Sequence, residues 1–193
     1  GTLTVTNREA KYEITVKANS ATATYDGKEH EAVGVETYEF TVEGNSYTVS
    51  GLSTEDPKQK DAGSYTNNIT GTPVVTDKEG NVVTSEFEVK TENGSLEIGK
   101  AAVTLKSATL SKKYDGNALV NGDTALEIES GFAEGEGATY NFTGSQTVVG
   151  SSANAFSYEL NGNTNIDNYA ISKQEGTLTV TNREAKYEIT VKA

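Results

Sequence analysis

The segment GTLTVTNREAKYEITVKA at Gly1–Ala18 returns letter for letter at Gly176–Ala193. A repetition of this length is far beyond chance, and periodic self-similarity is typical of a repeat architecture. Within the segment, Tyr12, Ile14 and Val16 alternate with polar residues, as in a strand that buries one face. The segment therefore predicts the last strand of one module, a junction and the first strand of the next.

A weaker repeat divides the period into two copies. Tyr25-Asp26-Gly27 matches Tyr114-Asp115-Gly116 at an offset of 89 residues. Later in each copy, Phe87 matches Tyr169 at an offset of 82, so the second copy is seven residues shorter between these positions. We expect the chain to be part of a longer array. The predicted boundaries are 1–10 for the closing strand of a preceding module and a junction, 11–99 for module 1, 100–181 for module 2, and 182–193 for a junction and the opening strand of a following module.

Short runs rich in Thr, Val and Tyr occupy most of the chain and favour strands. Beyond the repeated segment, strands are predicted at Thr37–Val42, Ser46–Gly51, Ser64–Thr70, Val82–Lys90, Ser95–Ile98, Ala138–Phe142, Ala155–Leu160 and Tyr169–Lys173. Gly80 and Asn93-Gly94 predict hairpin turns with positive φ, and the strongest hairpin prediction is Glu92–Ser95.

This pattern predicts an all-β fold of two tandem small β-sandwich modules of the immunoglobulin-like kind. A β-grasp variant is the alternative, and it would need one helix for which the sequence has no candidate. The spacing Asp61-x-Gly63-x-Tyr65 favours a tyrosine corner, in which the ring packs inward and the hydroxyl bonds to nearby backbone. The second copy has Val149-Gly150 and Phe156 in this region and does not carry the motif.

Composition argues against most chemistry. The 16 Lys+Arg against 28 Asp+Glu give a net charge of −12, which repels nucleic acid and anionic lipid. There is no Cys, and His30 is the only imidazole, so disulfides and thiolate metal sites are excluded. The sequence also has no G-x-S-x-G nucleophile motif. We therefore expect no enzyme activity and no catalytic, cofactor-binding or metal-binding residues.

Three motifs could be mistaken for sites. The Tyr-Asp-Gly tripeptides are predicted to be turns anchored by their aromatic ring. The groups Asp77/Glu79/Asn81 and Asn163/Asn165/Asp167 alternate oxygen ligands as a Ca²⁺ loop would, but they are predicted to be solvated turns. Lysines and asparagines such as Lys17 and Asn93 could form an internal amide crosslink beside a buried carboxylate, although spacing does not identify such a trio.

The strings YDGKEH, KKYDGNALVNGD and DAGSYT, with FEVKTENGSLEI and DNYAISKQEGTLTVT, carry a family resemblance. The chain resembles the YDG/MBG-type repeat modules of Gram-positive bacterial cell-surface proteins. The resemblance implies secretion, attachment to the cell wall and a place in the repetitive stalk of an adhesin. It implies no activity and no binding residue.

We therefore expect a structural stalk or spacer repeat at the extracellular surface of a bacterial cell wall, which projects an adhesive tip. The alternative is a module that itself binds a host glycan or matrix protein, with avidity from repetition. Expected partners are the neighbouring repeat modules of the same chain, with no nucleic acid and no membrane contact. We expect a monomer whose ends either fray or pair with neighbouring molecules through exposed strand edges, Gly1–Thr6 of one molecule pairing with the terminal hairpin of another.

Overall fold

The computed structural model describes residues 1–6, 9–122 and 125–192. The chain is all-β, as predicted. Among the described residues, the only helical elements are two short 3-10 turns, Thr84–Glu86 and Ile166–Asn168. That part of the chain therefore does not contain the helix that a β-grasp variant would require. The chain divides into two compact units, Gly1–Gly99 and Lys100–Ala193.

The described residues of unit 1 form two parallel strand pairs and several antiparallel ones. The strands are β1 (Tyr12–Lys17), β2 (Ala21–Thr24), β3 (His30–Glu31), β4 (Glu39–Val42), β5 (Asn45–Thr54), β6 (Lys58–Gln59), β7 (Gly63–Asn67), β8 (Ile69–Asp77), β9 (Phe87–Glu92) and β10 (Gly94–Gly99). β9 runs parallel to β1, while β10 runs parallel to β2 and antiparallel to β7. β4, β5 and β8 form an antiparallel sheet, and β3 pairs with β6.

The described residues of unit 2 repeat the parallel pairs. The strands are β11 (Ala101–Lys106), β12 (Leu110–Lys113), β13 (Leu119–Val120), β14 (Ile128–Ser130), β15 (Ala138–Phe142), β16 (Ser145–Gln146), β17 (Gly150–Ala153), β18 (Phe156–Leu160), β19 (Tyr169–Gln174) and β20 (Thr177–Thr181). β19 runs parallel to β11, while β20 runs parallel to β12 and antiparallel to β17. β11 also pairs with β14, β13 with β16, and β15 with β18.

The core of unit 1 joins the β1–β9 pair to the β5–β8 sheet. Ile14, Val16 and Phe87 from the pair pack with Val49 and Val75 from the sheet, and all five are buried. Removing each such side chain from water contributes about 1.5–3 kcal/mol. The alternation that predicts a strand at Tyr12–Lys17 is thus the alternation that places one face of β1 in this core.

The first and last segments of unit 1 lie side by side over their whole length. β1 and β2 follow one another in the chain, and so do β9 and β10. Phe87 is opposite Tyr12 and Gly99 is opposite Thr24, so the partners stay 75 residues apart throughout. We call these two segments, residues 12–24 and 87–99, the terminal strand pair of unit 1.

Unit 2 has an equivalent terminal strand pair, residues 101–113 and 169–181. Tyr169 is opposite Ala101 and Thr181 is opposite Lys113, so the partners are 68 residues apart throughout. The difference between 75 and 68 is the seven-residue shortening that the offsets of the internal repeat predict.

The hairpin predicted at Glu92–Ser95 is wrong. β9 and β10 do not pair with each other, and Gly94 does not have the positive φ of a hairpin turn. The chain passes through Asn93 from one sheet into the next. The terminal hairpin expected in unit 2 does not form either, because β19 pairs with β11 and β20 pairs with β12 and β17. Gly80, in contrast, has the predicted positive φ, of 86°.

One long strand, β8, escaped prediction because it contains Gly71 and Pro73. Its register against β5 shifts between Ser50 and Leu52, which marks a β-bulge. At this bulge a Cβ on Gly71 would lie only 2.3 Å from the carbonyl oxygen of Gly51. The glycine is required by this close approach, and the bulge accommodates a proline that otherwise argues against a strand.

The two strands predicted at the ends of the chain do not form. Residues 1–6 and 187–192 have no regular secondary structure. A strand needs a partner, and neither segment has one in the described structure, which corresponds to the fraying alternative. β20 is paired on both edges, with β12 and β17, whereas β19 is paired on one edge, with β11. The contact between Gly1–Thr6 of one molecule and the terminal segment of another stays a prediction.

Candidate functional site

The terminal strand pair determines where the chain enters and leaves each unit. In unit 1 the chain enters at Tyr12, beside Phe87, and leaves at Gly99, beside Thr24. Because the strands are parallel, these points lie at opposite ends of the pair. A strand rises about 3.3 Å per residue, so the two ends are separated by roughly 40 Å of paired chain. The same arrangement holds in unit 2, from Ala101 to Thr181.

Both segments of the pair pass from one sheet to the next at the same level, where Gly94 of one segment lies beside Asn19 of the other. We call this place the crossing. A Cβ added to Gly94 would lie 2.2 Å from the carbonyl oxygen of Asn19 and 2.7 Å from that of Ala18. In unit 2 a Cβ on Gly176 would lie 2.2 Å from the carbonyl oxygen of Ala108. Both glycines are therefore required by the close approach of the neighbouring backbone. The hairpin turn predicted for Gly94 is therefore not the reason for its presence.

A buried asparagine fastens this crossing in unit 1. The side-chain nitrogen of Asn67 donates to the carbonyl oxygens of Asn19 (3.1 Å) and Gly34 (3.4 Å). Its side-chain oxygen accepts a hydrogen bond from the backbone N–H of Asp56 (3.0 Å). Asn67 lies opposite Gly94 in the β7–β10 ladder. All its side-chain polar atoms are thus used to hold backbone at the crossing, as a buried amide requires.

Unit 2 has the equivalent asparagine with different partners. Asn154 donates from its side-chain nitrogen to the carbonyl oxygen of Ala108 (2.8 Å) and to the side chain of Asn121. Ser107 adds two bonds, donating to the carbonyl oxygen of Asn154 (2.6 Å) and accepting from the N–H of Gly176 (2.9 Å). The buried side-chain oxygen of Asn154 has no partner among the described residues. An unpaired buried acceptor costs about 1–3 kcal/mol.

Sequence reasoning missed these two asparagines. Asn67 lies inside the predicted strand Ser64–Thr70 and Asn154 directly before the predicted strand Ala155–Leu160, but the alternation of apolar and polar residues does not mark a buried polar side chain. The signal that could have found them is their position in the internal repeat, because they lie 87 residues apart, between the two offsets of 89 and 82.

The Tyr-Asp-Gly motifs are turns, as predicted. In the first, Tyr25 is buried, Gly27 has a φ of 79°, and the Asp26 carboxylate accepts from the N–H of Lys28 (2.9 Å) and from His30 (3.0 Å). The Lys28 N–H, followed by the His30 ring, lowers the pKa of Asp26. In the second, Asp115 accepts from the N–H of Asn117 (2.9 Å).

The Tyr65 hydroxyl makes the bond predicted for a tyrosine corner, donating to the carbonyl oxygen of Asp61 (3.0 Å). The ring is half-buried rather than buried. It lies over Gly63, where a Cβ would meet the ring atoms at 3.0–3.3 Å. The glycine in the D-x-G-x-Y spacing therefore makes room for the ring.

The acidic groups form turns closed by their own side chains. The Asp77 carboxylate accepts from the N–H of Glu79 (3.0 Å) and from the N–H (2.8 Å) and side chain (2.9 Å) of Asn81. The Asn81 bonds lower the pKa of Asp77. In the second group Asn165 accepts from the N–H of Asp167 (3.0 Å), and Asn163 donates to a backbone carbonyl (2.8 Å). Among the described residues no three His, Cys, Asp or Glu are grouped so as to hold a metal ion.

The described lysines are all at least partly exposed, so none lies in the buried setting that an internal amide crosslink requires. Lys17 pairs with Glu92 at 2.8 Å, and both side chains are about half exposed. Asn93 donates to the side chain of Asn68 (2.8 Å) at the surface. The structure therefore does not bring Lys17 and Asn93 together beside a buried carboxylate.

The tyrosines offer little exposed aromatic surface. Tyr25 and Tyr169 are buried, and Tyr187 is the exposed one. The others are half-buried: Tyr12, Tyr38, Tyr47, Tyr65, Tyr114, Tyr140 and Tyr158. The described part of the chain also has no helix with the length and apolar character needed to cross a membrane.

Searches of protein-family models, of curated proteins and of solved structures found no match to the chain.

Proposed function

We propose that the chain is a structural spacer repeat in the stalk of a cell-wall-anchored bacterial surface protein. In this proposal the two units are tandem sandwich modules of the immunoglobulin-like kind, without enzymatic activity. Their partners are neighbouring modules of the same chain, and the stalk projects an adhesive tip outside the cell.

One observation carries the proposal: the chain enters and leaves each unit at opposite ends of its terminal strand pair. Units linked in series through such ends add reach with each copy. A unit whose ends lay side by side would fold the chain back on itself. The segment GTLTVTNREAKYEITVKA supports the same role, because a letter-for-letter repeat lets each copy be joined to the next by an identical connection.

The test is small-angle X-ray scattering on proteins that carry one, two and three copies of the 175-residue period. The proposal expects the maximum dimension to increase by a constant length per copy. A maximum dimension that grows only as the cube root of the copy number would indicate a compact assembly and would contradict it.

Binding of a host glycan or matrix protein by the modules themselves has less support, because nine of the ten tyrosines are buried or half-buried. A glycan and matrix-protein array probed with the three-copy protein tests it directly. Reproducible binding that increases with copy number would favour the binding role over the spacer role.

A further inference from the structure

The hydrogen bonds of the terminal strand pair lie across the line that joins the two ends of each unit. Tension applied to the ends of unit 1 enters at Tyr12 and leaves at Gly99, on two strands that run in the same direction. Such a pull slides one strand past the other and loads all bonds between them together. We propose that each unit is a shear clamp that resists end-to-end tension, an inference that rests on the proposed spacer function.

The ladder of the pair continues across the change of sheet. The N–H of Ala18 donates to the carbonyl oxygen of Glu92 (2.9 Å), immediately before the crossing. The register of β1 with β9 then resumes unchanged in β2 with β10. Beyond β2, the N–H of Tyr25 donates to the carbonyl oxygen of Gly99 (2.8 Å), where the chain leaves. The two sheets are therefore loaded as one element.

Gly94 locks this register. If the strands slid by two residues, which keeps the inward face inward, Glu92 or Leu96 would take the place of Gly94 beside Asn19. A Cβ at that place would lie 2.2 Å from the Asn19 carbonyl oxygen, well inside van der Waals contact. Sliding in either direction is thus blocked by backbone. The crossing must open before the strands can move.

Asn67 holds the crossing closed. Its side chain is buried and donates to the carbonyl oxygen of Asn19, the atom that faces Gly94. Two ion pairs also span the pair, Lys17 with Glu92 (2.8 Å) and Lys90 with Glu13 (3.0 Å). These pairs are exposed and contribute little. We therefore assign most of the resistance to the backbone ladder and to the contact of Gly94 with Asn19 that Asn67 holds in place. We call this contact, with its asparagine, the lock.

Unit 2 contains the same parts. Its ladder keeps one register from Ala101 to Lys113. Gly176 faces the carbonyl oxygen of Ala108 at the distance that blocks a Cβ, and Asn154 binds that same oxygen. The lock is therefore a property of both units, although the rest of their sequences have diverged.

The experiment is single-molecule force spectroscopy on the full chain. The chain has no Cys, so introduced cysteines are unique handles. Handles at Lys11→Cys and Lys100→Cys load the pair of unit 1 in shear. The control has handles at Lys11→Cys and Ser85→Cys, which pull the two strands apart from the end where both begin. All three positions are exposed.

We expect the shear geometry to rupture at a clearly higher force than the control, because the control breaks the ladder one bond at a time whereas shear loads the bonds together. The released length identifies the unit, at about 3.5 Å per residue between the handles. Equal forces in the two geometries would overturn the clamp.

The lock is tested with Asn67→Ala against Val75→Ala, a buried core position outside the pair. For equal losses of equilibrium stability, we expect Asn67→Ala to lower the shear force more. An equal or larger loss of force in Val75→Ala would show that the crossing has no special role.

The outcomes separate the two proposals. If the two pulling geometries rupture at equal force while the maximum dimension grows by a constant length per copy, the shear clamp is contradicted and the spacer function is supported. If the three-copy protein is compact but the shear geometry ruptures at a high force, the spacer function is contradicted, and the mechanical resistance belongs to units that do not act as spacers.

Discussion

Leu3 and Leu178 occupy the same place in two identical segments, yet Leu3 is 100% exposed and Leu178 is 0% exposed. The same contrast appears in the other half of the repeat, where Ile189 is 85% exposed and Ile14 is 6% exposed. The local sequence cannot cause the difference, because it is the same. β20 is paired on both edges and β1 on one, whereas the residues at the chain ends are unpaired. The segment therefore encodes a strand with one apolar and one polar face, and whether the strand forms depends on partner strands elsewhere in the chain.

Amide hydrogen exchange should give the largest difference between the copies. Identical neighbours give Leu3–Thr6 and Leu178–Thr181 the same intrinsic exchange rates. We expect protection of the second set to exceed that of the first by about 10³-fold or more, since β20 opens only with its unit. NMR is the suitable measurement, because peptides from the two copies have the same mass. Equal protection would contradict the assignment of residues 1–6 as unpaired.

Truncation of the two leucines should give the next largest difference. Leu178→Ala removes a fully buried side chain and is expected to cost about 2–5 kcal/mol of the free energy of unfolding of unit 2. The matched control Leu3→Ala should change stability by less than about 0.5 kcal/mol. Urea unfolding followed by NMR of each unit measures both. Similar losses in the two variants would mean that Leu3 is buried in solution.

Adding one methyl group to the first residue of the repeated segment should change stability in one copy and not in the other. Gly176→Ala places a Cβ 2.2 Å from the Ala108 carbonyl oxygen, and we expect it to cost about 1–3 kcal/mol. Gly1→Ala is the control, since nothing lies within 4 Å of its Cβ position, and it should be neutral. The measurement is again urea unfolding of each variant. A neutral Gly176→Ala would show that the close approach of the Ala108 backbone does not require a glycine.

The smallest effect concerns Lys17, which lies in the paired copy of the segment. The hydrogen bond and charge of Glu92 raise the pKa of Lys17 above its ordinary 10.5. Because the pKa is higher in the folded state, the contribution of this pair is fully present below the unfolded pKa. It is lost as the pH rises through the folded pKa. NMR titration should show Lys17 shifting back towards 10.5 in Glu92→Gln. An unchanged titration in that variant would contradict the pairing.

The candidate site could be predicted only in part. The Tyr65 hydroxyl bond and the Tyr-Asp-Gly turns follow from short spacings, because each is completed within a few residues. Gly94 was predicted to have the positive φ of a hairpin turn, whereas its structural role is a close backbone approach. A glycine at the start of a strand is compatible with both roles. Asn67 was missed because its partners, Asn19 and Gly34, are far away in the sequence.

From the sequence alone it follows that the chain is all-β, which residues of β1 face inward, and that a seven-residue difference separates the two copies. These properties depend on local alternation and on self-comparison, both of which can be read along one chain. The parallel direction of the two segments in each terminal strand pair is visible only in the folded structure. Period-two alternation shows which face of a strand is apolar but carries no information about the neighbouring strand or its direction. That direction, fixed by long-range packing, places the two ends of each unit at opposite ends of its terminal strand pair.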